Sequence, residues 1–132
     1  MTADNQEPVA ARPCMLVVHN EPSQPGVLGR AFRRLGWDVY HARNGAEARR
    51  LARMLEPELL VMATDLEEES GWLTCEKLTR ELPDVRVVLA DAVPDARRAK
   101  LAAFVGAAAL LPRDGLATLL ECDPEPALPA AG

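Results

Sequence analysis

The chain reads as an α/β fold: five βα units wound doubly about a parallel sheet of order 2-1-3-4-5. Three features predict it. Short apolar runs without polar alternation, such as Leu59-Leu60-Val61-Met62-Ala63 between Pro57 and an acidic loop, have the profile of strands buried on both faces. Patterns of helical period separate these runs, and the strand-to-strand spacing of roughly 20 to 27 residues leaves room for a helical crossover each time. Right-handed crossovers restrict the topologies open to five such units, of which 2-1-3-4-5 is the commonest.

Taken in order, residues 1–12 carry small, polar and Pro residues without periodicity and read as a loose leader. The structured domain is expected over 13–122. Cys14 to Val18 is the first strand and central, with His19 and Glu21 just beyond it. Pro25 opens a helix whose inward face is Leu28, Ala31, Phe32 and Leu35, with Arg30, Arg33 and Arg34 pointing elsewhere and Gly36 as its stop. Asp38 to Ala42 is the second strand. Asn44 caps a helix with Ala48, Leu51, Ala52 and Leu55 inward and Arg49, Arg50 and Arg53 on the wet side. After the third strand and its acidic loop, Trp72 to Leu82 forms a helix that places Cys75, Leu78 and Leu82 in the core. Val85 to Ala90 is the fourth strand, and Pro94-Asp95 starts a helix running to about Val105, closed by Gly106. Ala107 to Leu111 makes the fifth strand, and Asp114 caps a last short helix through Glu121. Residues 123–132 form a flexible Pro/Ala tail.

Composition removes several function classes. At 132 residues there is room for one domain and no second. The net charge of -5 argues against nonspecific nucleic-acid binding, which rests on cations neutralising phosphates. Cys14, Cys75 and Cys122 are odd in number and far apart, with no C-x-x-C pair, so they read as reduced thiols rather than a disulfide or zinc framework. Residues 1–13 lack the apolar core of a signal peptide, and no later run approaches membrane-spanning length; the expected location is cytoplasmic, away from membrane. No G-x-G-x-x-G or G-x-x-x-x-G-K-[ST] follows the first strand, the loop from His19 to Gly26 lacks a Ser/Thr-rich phosphate cradle, and Ser23 has no placed His and acid.

In an open α/β sheet chemistry gathers beyond the carboxyl ends of the strands. Here that edge collects His19-Asn20-Glu21, Ala63, Asp91 and Arg113. The runs Met15 to Pro22, Arg33 to Val39, Ala42 to Ala48 and Val105 to Ala108, in that order and spacing, resemble the receiver domain of two-component response regulators over nearly the whole chain between its loose ends. The resemblance implies a flavodoxin-like sheet. It also implies an acidic pair after strand one that binds Mg²⁺, a phosphoacceptor Asp closing strand three, a Thr or Ser after strand four and a Lys after strand five. This chain departs at each of them. His19 and Asn20 fall on the acidic pair, Ala63 on the acceptor, Asp91 on the hydroxyl position and Arg113 on the lysine, while Leu110 replaces the usual aromatic switch residue.

Phosphoryl transfer needs an oxygen nucleophile and a divalent cation to offset charge on the transferring oxygens. Alanine offers no nucleophile, and an imidazole and an amide are poor substitutes for two carboxylates around Mg²⁺, so neither a metal nor a cofactor is expected even with Glu21 retained. Asp91 is expected to pair with Arg113 and hold one conformation, the alternative being two unrelated surface charges. Asp65 is the nearby carboxylate that could stand in as acceptor; with Glu67, Glu68 and Glu69 it otherwise belongs to a solvated acidic loop. His19 is either a pH-sensitive group or hydrogen-bonded filler, and His41 a surface strand residue.

From Leu101 to Pro112 no residue is charged, and the fourth helix is apolar on more than one side. Leu101, Phe104, Val105 and Leu110 are therefore the expected partner surface, on the helix 4, strand 5, helix 5 face that receivers commonly use. The alternative is that the alanines favour helix and the fifth strand is buried. The expected function is that of a pseudo-receiver, a non-enzymatic, phosphorylation-independent protein-interaction module in bacterial signal transduction, bound to a kinase, an output protein or a second copy of itself. The rivals are a working receiver phosphorylated at Asp65 and an altered pocket that takes a small molecule.

Overall fold

The computed structural model describes residues 12–19 and 23–112, of which 23–27 are described as helical backbone only. Residues 1–11 of the expected leader, Asn20, Glu21, Arg113, the fifth helix, Cys122 and the tail lie outside the described residues. Within them run β1 (Cys14–Val18), α1 (Ser23–Arg34), β2 (Asp38–Ala42), α2 (Gly45–Leu55), β3 (Leu59–Ala63), α3 (Gly71–Glu81), β4 (Arg86–Asp91), α4 (Ala96–Phe104) and β5 (Ala109–Pro112). Every neighbouring pair of strands is parallel, and the sheet order is β2-β1-β3-β4-β5. That is the predicted doubly wound order.

The absence of polar alternation in the strands has a direct cause: helices cover both faces. Leu16, Val18, Leu60, Met62, Val87 and Leu89 point to one layer, where Ala48 and Ala52 of α2, Cys75 and Leu78 of α3, and Ala102 of α4 meet them. The alternate residues, Met15, Val17, Val39, Leu59, Val61 and Val88, point to the other, against Leu28 and Phe32 of α1 and Trp37. Truncating a fully buried residue such as Leu78 (0% exposed) to Ala would cost about 2–5 kcal/mol.

Side-chain caps fix where the helices begin. Asn44 Oδ1 accepts from the Glu47 amide at 2.8 Å. The Ser70 hydroxyl accepts from the Leu73 amide at 3.2 Å, and Asp95 Oδ1 from the Arg98 amide at 2.8 Å. Each satisfies a donor that the first helical turn leaves without an internal acceptor.

Three local readings change. α1 begins at Ser23, ahead of Pro25, since a first-turn proline lacks only an amide with no helical acceptor. Leu35, expected inward, is 53% exposed: α1 ends at Arg34, the chain reverses at Gly36 (φ 97°), and Trp37 fills the place instead. Its indole is 6% exposed and meets the Phe32 ring edge-on at 5.2 Å. β5 also starts two residues later than expected, at Ala109, because Ala107 is still held in the turn by its amide bond to Ala102 O at 2.9 Å.

Candidate functional site

The parallel register brings the carboxyl ends of the strands to one edge. Ala63 pairs with Ala90 across the β3–β4 ladder, and the next amide, Thr64 N, donates to Ala90 O at 2.9 Å. Thr64 and Asp91 therefore emerge side by side. Gly71 crosses this edge so closely that a Cβ there would lie 2.1 Å from Ala63 O and 2.8 Å from Thr64 Cα. Its amide donates to Thr64 O at 2.9 Å, which seals the β3–α3 connection against the strand end. Ala63 itself is half-buried and presents a methyl group.

Asp91 is 3% exposed and its carboxylate is fully engaged by described neighbours. Oδ1 accepts from the Thr64 hydroxyl at 2.6 Å and from Arg98 Nη2 at 3.0 Å, while Oδ2 accepts from Arg98 Nε at 2.6 Å. The Arg98 bonds hold this carboxyl below the usual carboxylate range; burial opposes them, and the Thr64 hydroxyl and the Ala92 amide reinforce them. The Arg98 guanidinium also lies 5.5 Å from the centre of the Trp72 ring. Asp91 is thus neither a surface charge nor dependent on Arg113 for a partner: α4 supplies one, and Arg113 lies outside the described residues. Thr64 and Arg98 escaped the sequence reading. The legible signal was Asp95 capping α4, which fixes Arg98 on the turn nearest the strand end.

On the far side of the edge His19 extends β1, its amide donating to Ala42 O at 3.1 Å. Its ring meets His41 edge-on at 5.7 Å. His41 is exposed, as expected of that strand position, and burial, then His19, then Arg33 lower its pKa. Asn20 and Glu21 lie outside the described residues.

The acidic loop is not uniformly solvated. Glu67 and Glu68 are exposed, but the Glu69 side chain is only 17% exposed and receives several donors. Arg49 reaches it through Nε at 3.3 Å and Nη2 at 3.2 Å, Lys77 Nζ at 3.0 Å and the Thr74 hydroxyl at 2.6 Å. Burial alone would raise the Glu69 pKa; the bonds from Thr74, Lys77 and Arg49 outweigh it and bring it down to about 2. A run of three Glu gives no signal of which one faces inward.

Among the described residues the donor set does not fit a divalent cation. The strand-three end offers a methyl group, both Asp91 oxygens are held by Arg98 and Thr64, and His19 brings an imidazole where Mg²⁺ prefers anionic oxygen. Among the described residues no group of three His, Cys, Asp or Glu is placed to hold a metal ion. A separate cavity of about 280 Å³ lies beside β2, lined by Arg12, Arg33, Trp37, Asp38, Val39 and Tyr40. Its arginines are already bonded, Arg12 to Gly36 O and Asp38, Arg33 to Val39 O.

The expected partner surface divides. Leu101 and Phe104 are 41% and 82% exposed, but Val105 is 6% exposed and belongs to the core. Ala102 and Val105 share the inward face of α4 at i, i+3, which leaves Leu101 and Phe104 outside. Leu110 is half-buried and packs against the same core from β5.

No family model matches the chain. The probable transcriptional regulatory protein TcrX of Mycobacterium tuberculosis is 34% identical over 84 residues, 61% of this chain and 36% of that protein, so the chain spans about a third of that relative's length. Among solved structures, a Burkholderia pseudomallei response regulator with a phosphorylated aspartic acid, calcium ion and citrate superposes with TM-score 0.77 at 23% identity, covering 90% of this chain and 70% of that one. A response regulator receiver protein from Pseudomonas putida gives 0.74 at 24% identity, over 85% and 95% of the two chains. The chemotaxis protein CheY4 of Vibrio cholerae gives 0.76 at 15% identity, over 85% and 98%. No helix among the described residues is long and apolar enough to cross a membrane. The strand order, the shared carboxyl edge and these superpositions give one conclusion: the chain has the receiver-domain fold of two-component response regulators.

Proposed function

We propose that this chain is a degenerate receiver, a signalling module that engages a protein partner through its shape, without being phosphorylated. Ala63 carries the reading: the last residue of β3, where the receiver resemblance places a phosphoacceptor, has no oxygen to attack phosphorus. The neighbouring carboxylate does not replace it, because Asp91 is buried and its oxygens are saturated by Arg98 and Thr64. The module works as a binding protein rather than an enzyme, in the cytoplasm. Its partner is a kinase, an output protein or a second copy, and it docks on the face that carries Leu101 and Phe104.

The competing reading is a working receiver that uses Asp65, which is exposed in the turn two residues past Ala63. Incubation with Mg²⁺ and a small acyl phosphate, followed by intact mass, decides between them. The expected spectrum is that of the untreated chain. A gain of one phosphoryl group that disappears in Asp65→Asn would replace this proposal with its rival.

A further inference from the structure

α4 is anchored by apolar burial at one end only. Its buried residues are Ala102 and, at the C-cap, Val105, whereas α2 buries Gly45, Ala48 and Ala52, and α3 buries Gly71, Thr74, Cys75 and Leu78. Both lie at its C-terminal end, so the placement of the N-terminal half must come from elsewhere. Polar contacts act at both ends. At the C-terminal end the Thr79 hydroxyl of α3 donates to Val105 O at 3.0 Å, and Gly106 (φ 91°) passes so near Thr79 that a Cβ would sit 2.7 Å from its Oγ1. At the N-terminal end Arg98 is held twice. Its amide donates to the capping Asp95, and its guanidinium reaches back over the connecting loop to grip Asp91 at the end of β4.

We propose that Arg98 is the positioning residue of α4: its two-bond grip on Asp91 holds the helix, and with it the outward face of Leu101 and Phe104, in one placement with no phosphoryl group present. This rests on the reading of the chain as a phosphorylation-independent module, and it names what sets the binding face of that module. Thr64, one residue past β3, completes the device by donating its hydroxyl to Asp91 Oδ1. Trp72 backs the guanidinium from α3, so the Asp91–Arg98 pair is supported on both sides, by Thr64 at Asp91 and by Trp72 at Arg98. Arginine's planar fork spans both carboxylate oxygens at once, where a lysine would keep the charge and a single bond.

Amide hydrogen exchange on the full chain tests this. In Arg98→Gln, peptides covering residues 92–104 should exchange at least about tenfold faster, while peptides from β1 and β3 keep wild-type rates. Arg97→Gln, on the exposed neighbour, should change neither. Arg98→Lys, which keeps the charge and one bond, should bring the α4 peptides back to within roughly threefold of wild type. Rates for 92–104 within about twofold of wild type in Arg98→Gln would overturn the proposal, and so would an equal acceleration of α4 and the central strands, which marks a residue that merely supports the fold. Should Arg98→Gln not fold, Asp91→Asn/Arg98→Gln removes the buried charge together with its partner and supplies the same comparison, read the same way. The two readings fail separately. Phosphoryl uptake from an acyl phosphate would end the functional reading and leave the exchange result standing, whereas a rigid α4 in these variants would end the clamp and leave Ala63 as inert as before.

Discussion

Glu69 illustrates how much of this edge depends on single carboxylates. It ties the β3–α3 loop to α2 through Arg49 and to α3 through Thr74 and Lys77, and its folded-state pKa is lowered from 4.5 to about 2. A lowered folded-state pKa stabilises the fold wherever the unfolded carboxylate is ionised, so the contribution is complete above about pH 4.5 and is lost as pH falls toward 2. Glu69→Gln should therefore lower the melting temperature at pH 7 and flatten the acid limb of the stability curve in that window. An acid limb identical to wild type would show that Glu69 is not held as described. Asp91, also shifted down, preserves some acid sensitivity in the variant. At this scale the sequence was least informative. Three consecutive glutamates are equivalent on paper, and Arg98 is one of two adjacent arginines; what separates them is which residue a folded neighbour happens to face.

Elements are positioned by close backbone approaches as well as by side chains. The β3–α3 connection passes within contact of the strand it leaves, and Gly71 opens α3 at that point with no room for a Cβ beside Ala63 O. The obstacle is backbone, which cannot rotate away, so Gly71→Ala should destabilise the fold by about 1–3 kcal/mol or more, measured by urea unfolding at unchanged m-value. A loss below a few tenths of a kcal/mol would mean that the connection relaxes freely. The exposed edge of the sheet has its own device. Among the described residues β2 pairs with β1 alone, and the Arg33 guanidinium donates to Val39 O at 3.3 Å, occupying an edge carbonyl with a cation. Most element boundaries were legible beforehand, because caps at Asn44 and Asp95 and stops at Gly36 and Gly106 act over a single turn. Leu35 was misplaced since helical period continues on paper past the residue where the chain turns away.

For the molecule as a whole, stability resides in the two layers that sandwich the sheet, and the proposed binding face stands apart from both. Phe104 is 82% exposed, so Phe104→Glu should leave the melting temperature near wild type, a change within about 0.5 kcal/mol, while abolishing association on the α4 face. A loss above about 1 kcal/mol would place the ring in the fold rather than on a partner surface. Val105, its neighbour in sequence, behaves oppositely because it faces Cys75 and Ala102. The contrast also explains why a run of uncharged residues overstated the surface: composition reports that a segment is apolar, and the helix rotation decides which of its residues are inside.

The sequence alone determined the architecture and the alanine that closes β3. Apolar runs of strand length, helical periods between them and an alanine closing β3 are local properties, fixed by chain order and legible without any contact. The tertiary structure decided what the remaining charges do. Asp91 and Arg98 are joined across a loop, Thr64 reaches Asp91 from 27 positions away, and Glu69 meets Arg49 from 20. Such pairings follow from the parallel register and from the angle at which each helix packs, and those are set by the core as a whole rather than by the residues that meet.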